Sequence, residues 1–442
     1  MNYLSPLHLA ESLRHKKDFV WLDSLIPQAS SSPQEEGLSL LAAEPDFIIE
    51  GGPHDWPLLD KELKKRLKAR GWRPEKNHFT STPTFNFTCC GAAIGFFRYD
   101  GSFRFGFYEK VYRHVATAKK SKWLTSLPTL DTHPSVSQKK SHPFDFQDNM
   151  TREEFCKIVR EAQHEISLGN IYQVCLAHCL QASCHADPWP LYLSLRQHSP
   201  APFAAYLQCG EETILSSSPE CFLKMEGRHI LTRPIKGTRP RGKTLAKDAE
   251  QASLLQASLK ENAELVMITD LERNDLGKVC EYGSVITSQL LHLERYPQVF
   301  HLVSTIEGEL RQEVSHVEAL AACFPGGSIS GAPKKKAMEI IERLEPVPRG
   351  LFTGAIGYFG FNGTSQFNIA IRTLHLHNGV AQFHVGAGIT SDSIPEQEWE
   401  ETLHKASGIL TTCGQKKLAT KNTKKSKKKI DALFEKATVT LL

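Results

Sequence analysis

The sequence predicts an α+β protein, and three observations carry that expectation. Between about Phe155 and Gly414 the chain is dense in short strand-like runs punctuated by glycine turns. Three well-formed helical stripes are set among those runs. The composition is that of an ordinary globular chain, with 40% hydrophobic residues, 29 glycines in 442 and 23% charged residues. That supplies a large core and argues against disorder over most of the length.

Taken in order, the first 125 residues read as a mixed N-terminal region. Its strand candidates are VWLDS from Val20, DFIIEG from Asp46 and FNFTCCGAAIGFFRYD from Phe85. Residues 126–149, rich in Pro, Ser, Asp and Lys, read as a linker or surface excursion. Thr151 then caps a helix with Phe155, Ile158, Val159 and Ala162 on one stripe. IYQVCLAHCLQA alternates like a strand, with Cys175, Ala177 and Cys179 on one pleat face. HILTRPIK reads as another strand.

The first helical stripe runs from about Ala246 to Thr269 and puts Glu261 and Glu264 on neighbouring positions of one face. The second follows GGSISGAP, with Pro333 near its first turn and Ala337, Ile340, Ile341 and Leu344 as its buried stripe. The third, Glu396 to Leu410, carries Trp399, Leu403, Ala406 and Leu410 on one face and Glu398, Glu401 and Lys405 on another. By pattern alone that second face is solvated, with Glu401 and Lys405 as an i,i+4 ion pair. Residues 150–414 thus form the main region, and residues 415–442 a Lys-rich tail, expected to be flexible and solvated.

Charge and cysteine usage narrow the function. The net charge is +4, but the tail alone contributes +7, so the first 414 residues carry about −3. A nucleic-acid-binding protein spreads its basic residues over a folded face, which this chain does not do. The longest apolar candidate, Gly350 to Phe361, is too short to span a bilayer, and no secretory signal precedes the first helix. The expectation is a cytoplasmic protein with no membrane and no nucleic-acid partner. Eleven cysteines, an odd count, are expected as reduced thiols. Cys175, His178, Cys179, Cys184 and His185 cluster in sequence, yet no second ligand pair follows at zinc spacing.

One motif is a trap. Gly237 to Thr244, GTRPRGKT, matches the G-x-x-x-x-G-K-[ST] pattern of phosphate-binding loops. Pro240 removes one of the backbone N–H groups such a loop aims at phosphate, and the preceding run is too polar for a buried parallel strand. A nucleotide triphosphatase is therefore only a remote alternative.

Several long blocks, in order, carry a far more specific signal. GNIYQVCLAHCL, SPAPFAAYL, SSSPECFL, TRPIKGTRPRG, ENAELVMITDLERNDLG, FHLVSTIEGEL, FPGGSISGAPKKKAMEIIERLE, GAIGYFGF, NIAIRTL and GAGITSDSIPEQEWEET are spread over the stretch from about Phe155 to Leu410, about 250 of the 442 residues. Together they resemble the chorismate-utilising enzymes, the family of anthranilate synthase component I, aminodeoxychorismate synthase component I and isochorismate synthase. VWLDS and LSLLAAEP resemble that family's more variable N-terminal part. The resemblance implies an anthranilate synthase component I-like α+β fold, with two large, mostly antiparallel sheets face to face, helices outside and the substrate cleft between.

In the PIKGT block this chain has Lys236, as aminodeoxychorismate synthases do, where anthranilate synthases usually carry alanine. The resemblance implies amination of chorismate at C4 on the route to p-aminobenzoate and folate, with anthranilate synthesis as the closest rival. Lys236 is then the nucleophile, active only when neutral, so its pKa is expected to be lowered. Glu220, sixteen residues earlier, matches the general acid. The family uses Mg2+, which implies Glu264 and Glu401 as ligands with Glu398 and Glu261 in support. Matching substrate-binding positions are Arg372, Tyr358, His301, Ser330, Lys405 and the backbone of Gly386, Ala387 and Gly388. No Cys–His–Glu amidotransferase module is visible, so the implied partner is a glutamine amidotransferase subunit that supplies ammonia. Ser24, Pro202, Phe203 and Ala204 match parts of a tryptophan pocket found in many relatives. Gly37 stands where those relatives have arginine, which argues against bound tryptophan. Cys175 replaces the usual asparagine.

Overall fold

A computed structural model describes residues 5–25, 37–71, 91–116, 121–127, 144–296 and 298–415. Most of the expected linker, the Phe85–Cys90 part of one strand candidate and the Lys-rich tail from residue 416 lie outside the described residues. Among those residues the strands form two antiparallel sheets of eleven and ten strands.

The first sheet runs in the order Gly331–Ala332, Gln173–Ser183, Val380–Ile389, Thr373–His377, Glu212–Ser218, Phe203–Cys209, Val20–Asp23, Gly37–Ala42, Tyr112–Ala116, Ser121–Trp123. The second is built around Val299–Glu309, Cys221–Glu226, Thr364–Ile369, Ala355–Gly360, Ala92–Phe97 and Phe103–Tyr108. N-terminal strands therefore extend both sheets. The inner faces meet in a core of Val20, Leu40, Leu207 and Ile214 against Ile94, Phe96, Ile356 and Tyr358. Helices Arg152–Ser167, Lys334–Leu344, Pro188–His198 and Pro395–Thr412 cover the outside of the first sheet. Trp56–Ala69, His316–Cys323 and part of Leu259–Gly277 cover the second. Each helix hides an apolar stripe that an isolated helix could not keep from water, which gives the four-layer α/β/β/α order.

Local sequence explains the elements. Thr151 and Glu154 form a reciprocal capping box on Arg152–Ser167, and Phe155, Ile158, Val159 and Ala162 are buried as the stripe requires. Ala337, Ile340, Ile341 and Leu344 are likewise buried on Lys334–Leu344. Two expectations are corrected. The single helix read from Ala246 to Thr269 is two helices, Leu245–Gln256 and Leu259–Gly277. Ser258 interrupts it because its side chain accepts the N–H of Glu261 and so starts a new helix. HILTRPIK is likewise two strands, His229–Arg233 and Ile235–Pro240, divided at Pro234 and both paired with Val299–Glu309. Proline has no N–H for that ladder.

Candidate active site

The cleft opens where the Ile235–Pro240 strand of one sheet faces the Val380–Ile389 strand of the other. Lys236 pairs with Leu302, and the ladder then slips at Gly237, whose φ is +76°. A side chain at Gly237 would strike Leu255 at 2.9 Å and Glu261 Oε2 at 3.1 Å, so glycine lets Leu245–Gln256 and the start of Leu259–Gly277 approach. The half-buried Lys236 Nζ donates to the carbonyl of Ser328 at 3.1 Å. The Ser328 side chain is hydrogen-bonded to Glu220. Cys175 Sγ donates to the same Ser328 carbonyl at 3.4 Å. Ser328 therefore ties together the two residues expected to react, and the sequence reading had missed it.

Electrostatics separates the pair. Burial lifts the Glu220 carboxyl above its ordinary value, against the Ser328 hydrogen bond and the Lys236 charge, so it favours holding a proton. At Lys236 the expectation of a lowered pKa is corrected. Burial pulls the ammonium down, but Cys175, Glu264, Glu220 and Glu401 outweigh it and hold the net value above the ordinary one.

Three carboxylates, Glu261, Glu264 and Glu401, act on Lys236 from two helices, and Glu398 lies by Lys260 at their edge. Burial raises Glu261, with Glu401 adding to the shift, and burial raises Glu264 against the charges of Lys236 and Lys260. Burial also acts on Glu401, but the Lys405 ammonium, 2.7 Å away, brings it net below the usual range. Glu398 is 3% exposed, accepts from Ser393 Oγ at 2.7 Å and lies 3.3 Å from Lys260 Nζ. Its face of the helix is thus not simply solvated. An all-oxygen set, two of whose carboxyls are raised chiefly by burial, suits a hard cation such as Mg2+. Among the described residues no group of three or more His, Cys, Asp or Glu side chains is arranged to hold a metal. Such a donor set suits an ion that takes few carboxylates and keeps most of its waters.

The remaining expected residues divide. Among the described residues, the Arg372 guanidinium makes no ion pair; burial lowers it while Glu220 raises it, so the cation faces Glu220 across the cleft. His301 is buried, bonded through Nδ1 to Thr238 Oγ1 at 2.9 Å, and lowered by burial to about 3, hence neutral. Lys405 Nζ donates to the carbonyl of Gly386 at 2.9 Å. A side chain on Gly388 would lie 3.6 Å from Lys236 Nζ and 2.4 Å from Gln173 Nε2, whereas Ala387 faces the opposite core. Beyond Gln382 the outer edge of Val380–Ile389 has no strand partner, which leaves backbone donors for an anion. Gln173 is fully buried, and among the described residues neither amide atom is hydrogen-bonded, so both are open to a ligand or an ordered water. Its place at Gly388 comes from pairing across strands, which sequence spacing does not reveal.

Two expected substrate residues are corrected. Ser330 is fully buried and its hydroxyl donates to the Gly326 carbonyl at 2.8 Å, inside its own turn. Tyr358 points between the sheets with Ile356, the face set by strand alternation, and lines a separate cavity. That cavity is bounded by Asp23, Ser24, Leu38, Pro202, Phe203, Ala204 and Asn368 among others. Its residues match the tryptophan-pocket positions, but Asp23 is paired with Arg196 at 2.6 Å, and Asn368 donates to the Phe203 carbonyl at 2.8 Å. Two of its principal polar groups are therefore already engaged by the protein itself.

The cysteine–histidine run holds no zinc geometry: His178 bonds Asp148 at 2.9 Å and Thr402 at 2.8 Å. All nine cysteines among the described residues are free thiols. The phosphate-loop lookalike is engaged within the protein, with Gly242 N–H donating to Asp248 at 2.9 Å. No helix among the described residues is long and apolar enough to cross a membrane.

Comparison with known proteins follows the same lines. Residues 65–411 match the family described as chorismate binding enzyme. Aminodeoxychorismate synthase component 1 of Bacillus subtilis (strain 168) is 42% identical over 287 residues, 64% of this chain and 60% of that protein. Anthranilate synthase component 1 of Acetivibrio thermocellus is 41% identical over 286 residues, 65% of this chain and 58% of that protein. The chain thus spans about three fifths of the length of the curated relatives it matches. The crystal structure of anthranilate synthase component I from Streptococcus pneumoniae TIGR4 superposes with a TM-score of 0.69 at 26% identity, over 92% of this chain and 97% of that one. The menaquinone-specific isochorismate synthase of Escherichia coli shares the fold, with a TM-score of 0.71 at 17% identity over 94% and 92% of the two chains.

Proposed function

This chain belongs to the chorismate binding enzyme family, and within it we propose that the protein replaces the C4 hydroxyl of chorismate with an amino group, giving 4-amino-4-deoxychorismate. The observation that carries this reading is Lys236, held in the cleft on the carbonyl of Ser328 while the Ser328 side chain holds Glu220. A lysine beside a carboxyl whose hold on its proton is strengthened by burial is what a two-step displacement needs. Direct amination at C2, the anthranilate route, has no use for it.

In the first step neutral Nζ bonds to ring C2, the double bonds shift, and the C4–O bond breaks as Glu220 gives its proton to the departing hydroxyl, which leaves as water. In the second, ammonia bonds to C4, the double bonds shift back and the C2–N bond breaks, returning Lys236 as a free amine. The proton lost by the new amine can return to Glu220. Arg372, with the unpaired backbone edge at Gly386 to Gly388, receives the side-chain carboxylate; Lys405 adds positive charge. Neutral His301, fixed by Thr238, offers a hydrogen bond without charge beside the ring. The Gln173 carboxamide is available to the bound substrate.

Glu264 and Glu401 would hold Mg2+, with Glu261 and Glu398 in support; the ion would take the ring carboxylate and neutralise the charges that keep Lys236 protonated. The relatives' designation as component 1 supports a separate glutamine amidotransferase subunit as the ammonia source, and the product would serve p-aminobenzoate and folate synthesis.

Intact-mass spectrometry with chorismate and Mg2+ but no ammonia tests the chemistry. The protein is expected to gain the mass of chorismate less water, located at Lys236 by peptide mapping. Product formation on adding ammonia, with no such adduct ever trapped and with Lys236→Ala fully active, would overturn the mechanism.

A further inference from the structure

A buried carboxyl outside the cleft is connected to it. Glu272 lies on Leu259–Gly277 about two turns beyond Glu264 and is 3% exposed. Its Oε1 accepts the backbone N–H of Gly327 at 2.9 Å, while Oε2 has no hydrogen-bond partner among the described residues. A buried carboxyl with one unanswered oxygen is costly, so its presence needs a reason. The approach is close: a side chain at Gly327 would meet Leu271 Cδ2 at 2.7 Å and Glu272 Oε1 at 3.0 Å. The next residue is Ser328, whose carbonyl accepts Lys236 and whose side chain bonds Glu220.

We propose that Glu272 is a positioning residue, which fixes Ser328 through Gly327 and thereby sets where Lys236 and Glu220 meet the substrate. The proposal rests on the amination reading only for its activity measurement. Four titratable groups face Glu272: Lys334 from Lys334–Leu344, Asp275 from its own helix, Glu220 across the cleft wall and Cys323 from His316–Cys323. The Lys334 ammonium is engaged by Asp275 and by the carbonyls of Cys323 at 2.8 Å and Pro325 at 2.7 Å. It lends Glu272 positive charge but no hydrogen bond.

Burial, opposed by Lys334 and reinforced by Asp275, raises the Glu272 carboxyl to about 7. The ionised form holds the Gly327 N–H more strongly than the neutral form. As a like charge, it also helps Glu220 keep its proton. Both effects act above the Glu272 value, so the rate should rise as pH increases through about 7.

The test compares the parent with Glu272→Gln, which keeps an acceptor but does not titrate, and with Glu272→Ala. Chorismate consumption, whichever product forms, is followed at saturating Mg2+ and constant free ammonia from about pH 6 to about pH 9. Glu272→Gln, which keeps the acceptor but never ionises, should hold the rate of the parent's low-pH form across the whole range and lose the limb near 7. Glu272→Ala should lower kcat about tenfold or more with KM changed less than about twofold. Hydrogen exchange of residues 324–331, measured without substrate, should speed up by about tenfold in Glu272→Ala. A limb near 7 that persists in Glu272→Gln, or unchanged exchange in Glu272→Ala, overturns the proposal. A parent that consumes no chorismate defeats the amination reading instead, and the exchange measurement still decides the role of Glu272.

Discussion

At the scale of single residues, Lys236 bears most of the functional weight. Lys236→Ala should reduce aminodeoxychorismate formation by several orders of magnitude, because covalent catalysis divides one hard displacement into two easier ones. Chorismate should still bind, since Arg372 and the metal ligands are untouched; equilibrium binding checks this alongside the rate. A variant that aminates C4 at the parental rate would reduce the lysine to a charged liner of the cleft. Lys236, Glu220, Arg372 and the four glutamates each sit in a long sequence block, which gives their positions along the chain and makes them candidates. Ser330 and Tyr358 were misread for the same physical reason. A block gives position along the chain but not the direction of a side chain. In the Gly327–Ser330 turn it is Ser328, two residues earlier, that reaches the cleft. On Ala355–Gly360, strand alternation turns Tyr358 towards the inter-sheet core.

At the scale of elements, the site depends on how two acidic helices start and how closely they approach. Ser258 caps Leu259–Gly277 and thereby orients Glu261 and Glu264. Ser258→Ala should cost about 1 kcal/mol of stability, read as a lowered midpoint in urea. Gly237 lets Leu259–Gly277 and the preceding Leu245–Gln256 close on the Lys236 strand, and its positive φ strains any other residue. Gly237→Ala should therefore lower activity at least about tenfold, more than its loss of stability alone would cause. Parental activity in that variant would show that the approach has no bearing on the chemistry. The helix break itself was hidden because Ala257 and Ser258 interrupt an otherwise continuous polar–apolar pattern, and one serine is a weak signal until its hydrogen bond is seen.

At the scale of the whole molecule, the two-sheet architecture followed from the ordered blocks, while composition and alternation alone reached only a mixed α+β chain. Pairing between distant strands, such as Val20–Asp23 beside Phe203–Cys209, leaves no local mark in sequence. Acid sensitivity is a property of the assembled core. Burial lowers His301 and His384 to about 3, so each is neutral when folded and takes up a proton on unfolding below its ordinary 6.5. The stability they lend is full above about 6.5 and falls as pH drops towards 3, by up to about 1.4 kcal/mol per unit for each. The melting temperature of His384→Gln should therefore fall less than that of the parent on acidification, and equal falls would contradict this. Every site residue lies at or before Lys405, and Gln415 still accepts from Phe146 N–H at 2.8 Å. A chain ending at Gln415 should keep the parental rate, and a folded truncation that loses most activity would show that the Lys-rich tail takes part. The most direct test of the whole account is product identity. With chorismate, Mg2+ and ammonium, the protein is predicted to form 4-amino-4-deoxychorismate with no pyruvate released until a lyase is added; fluorescent anthranilate with immediate pyruvate release would contradict it.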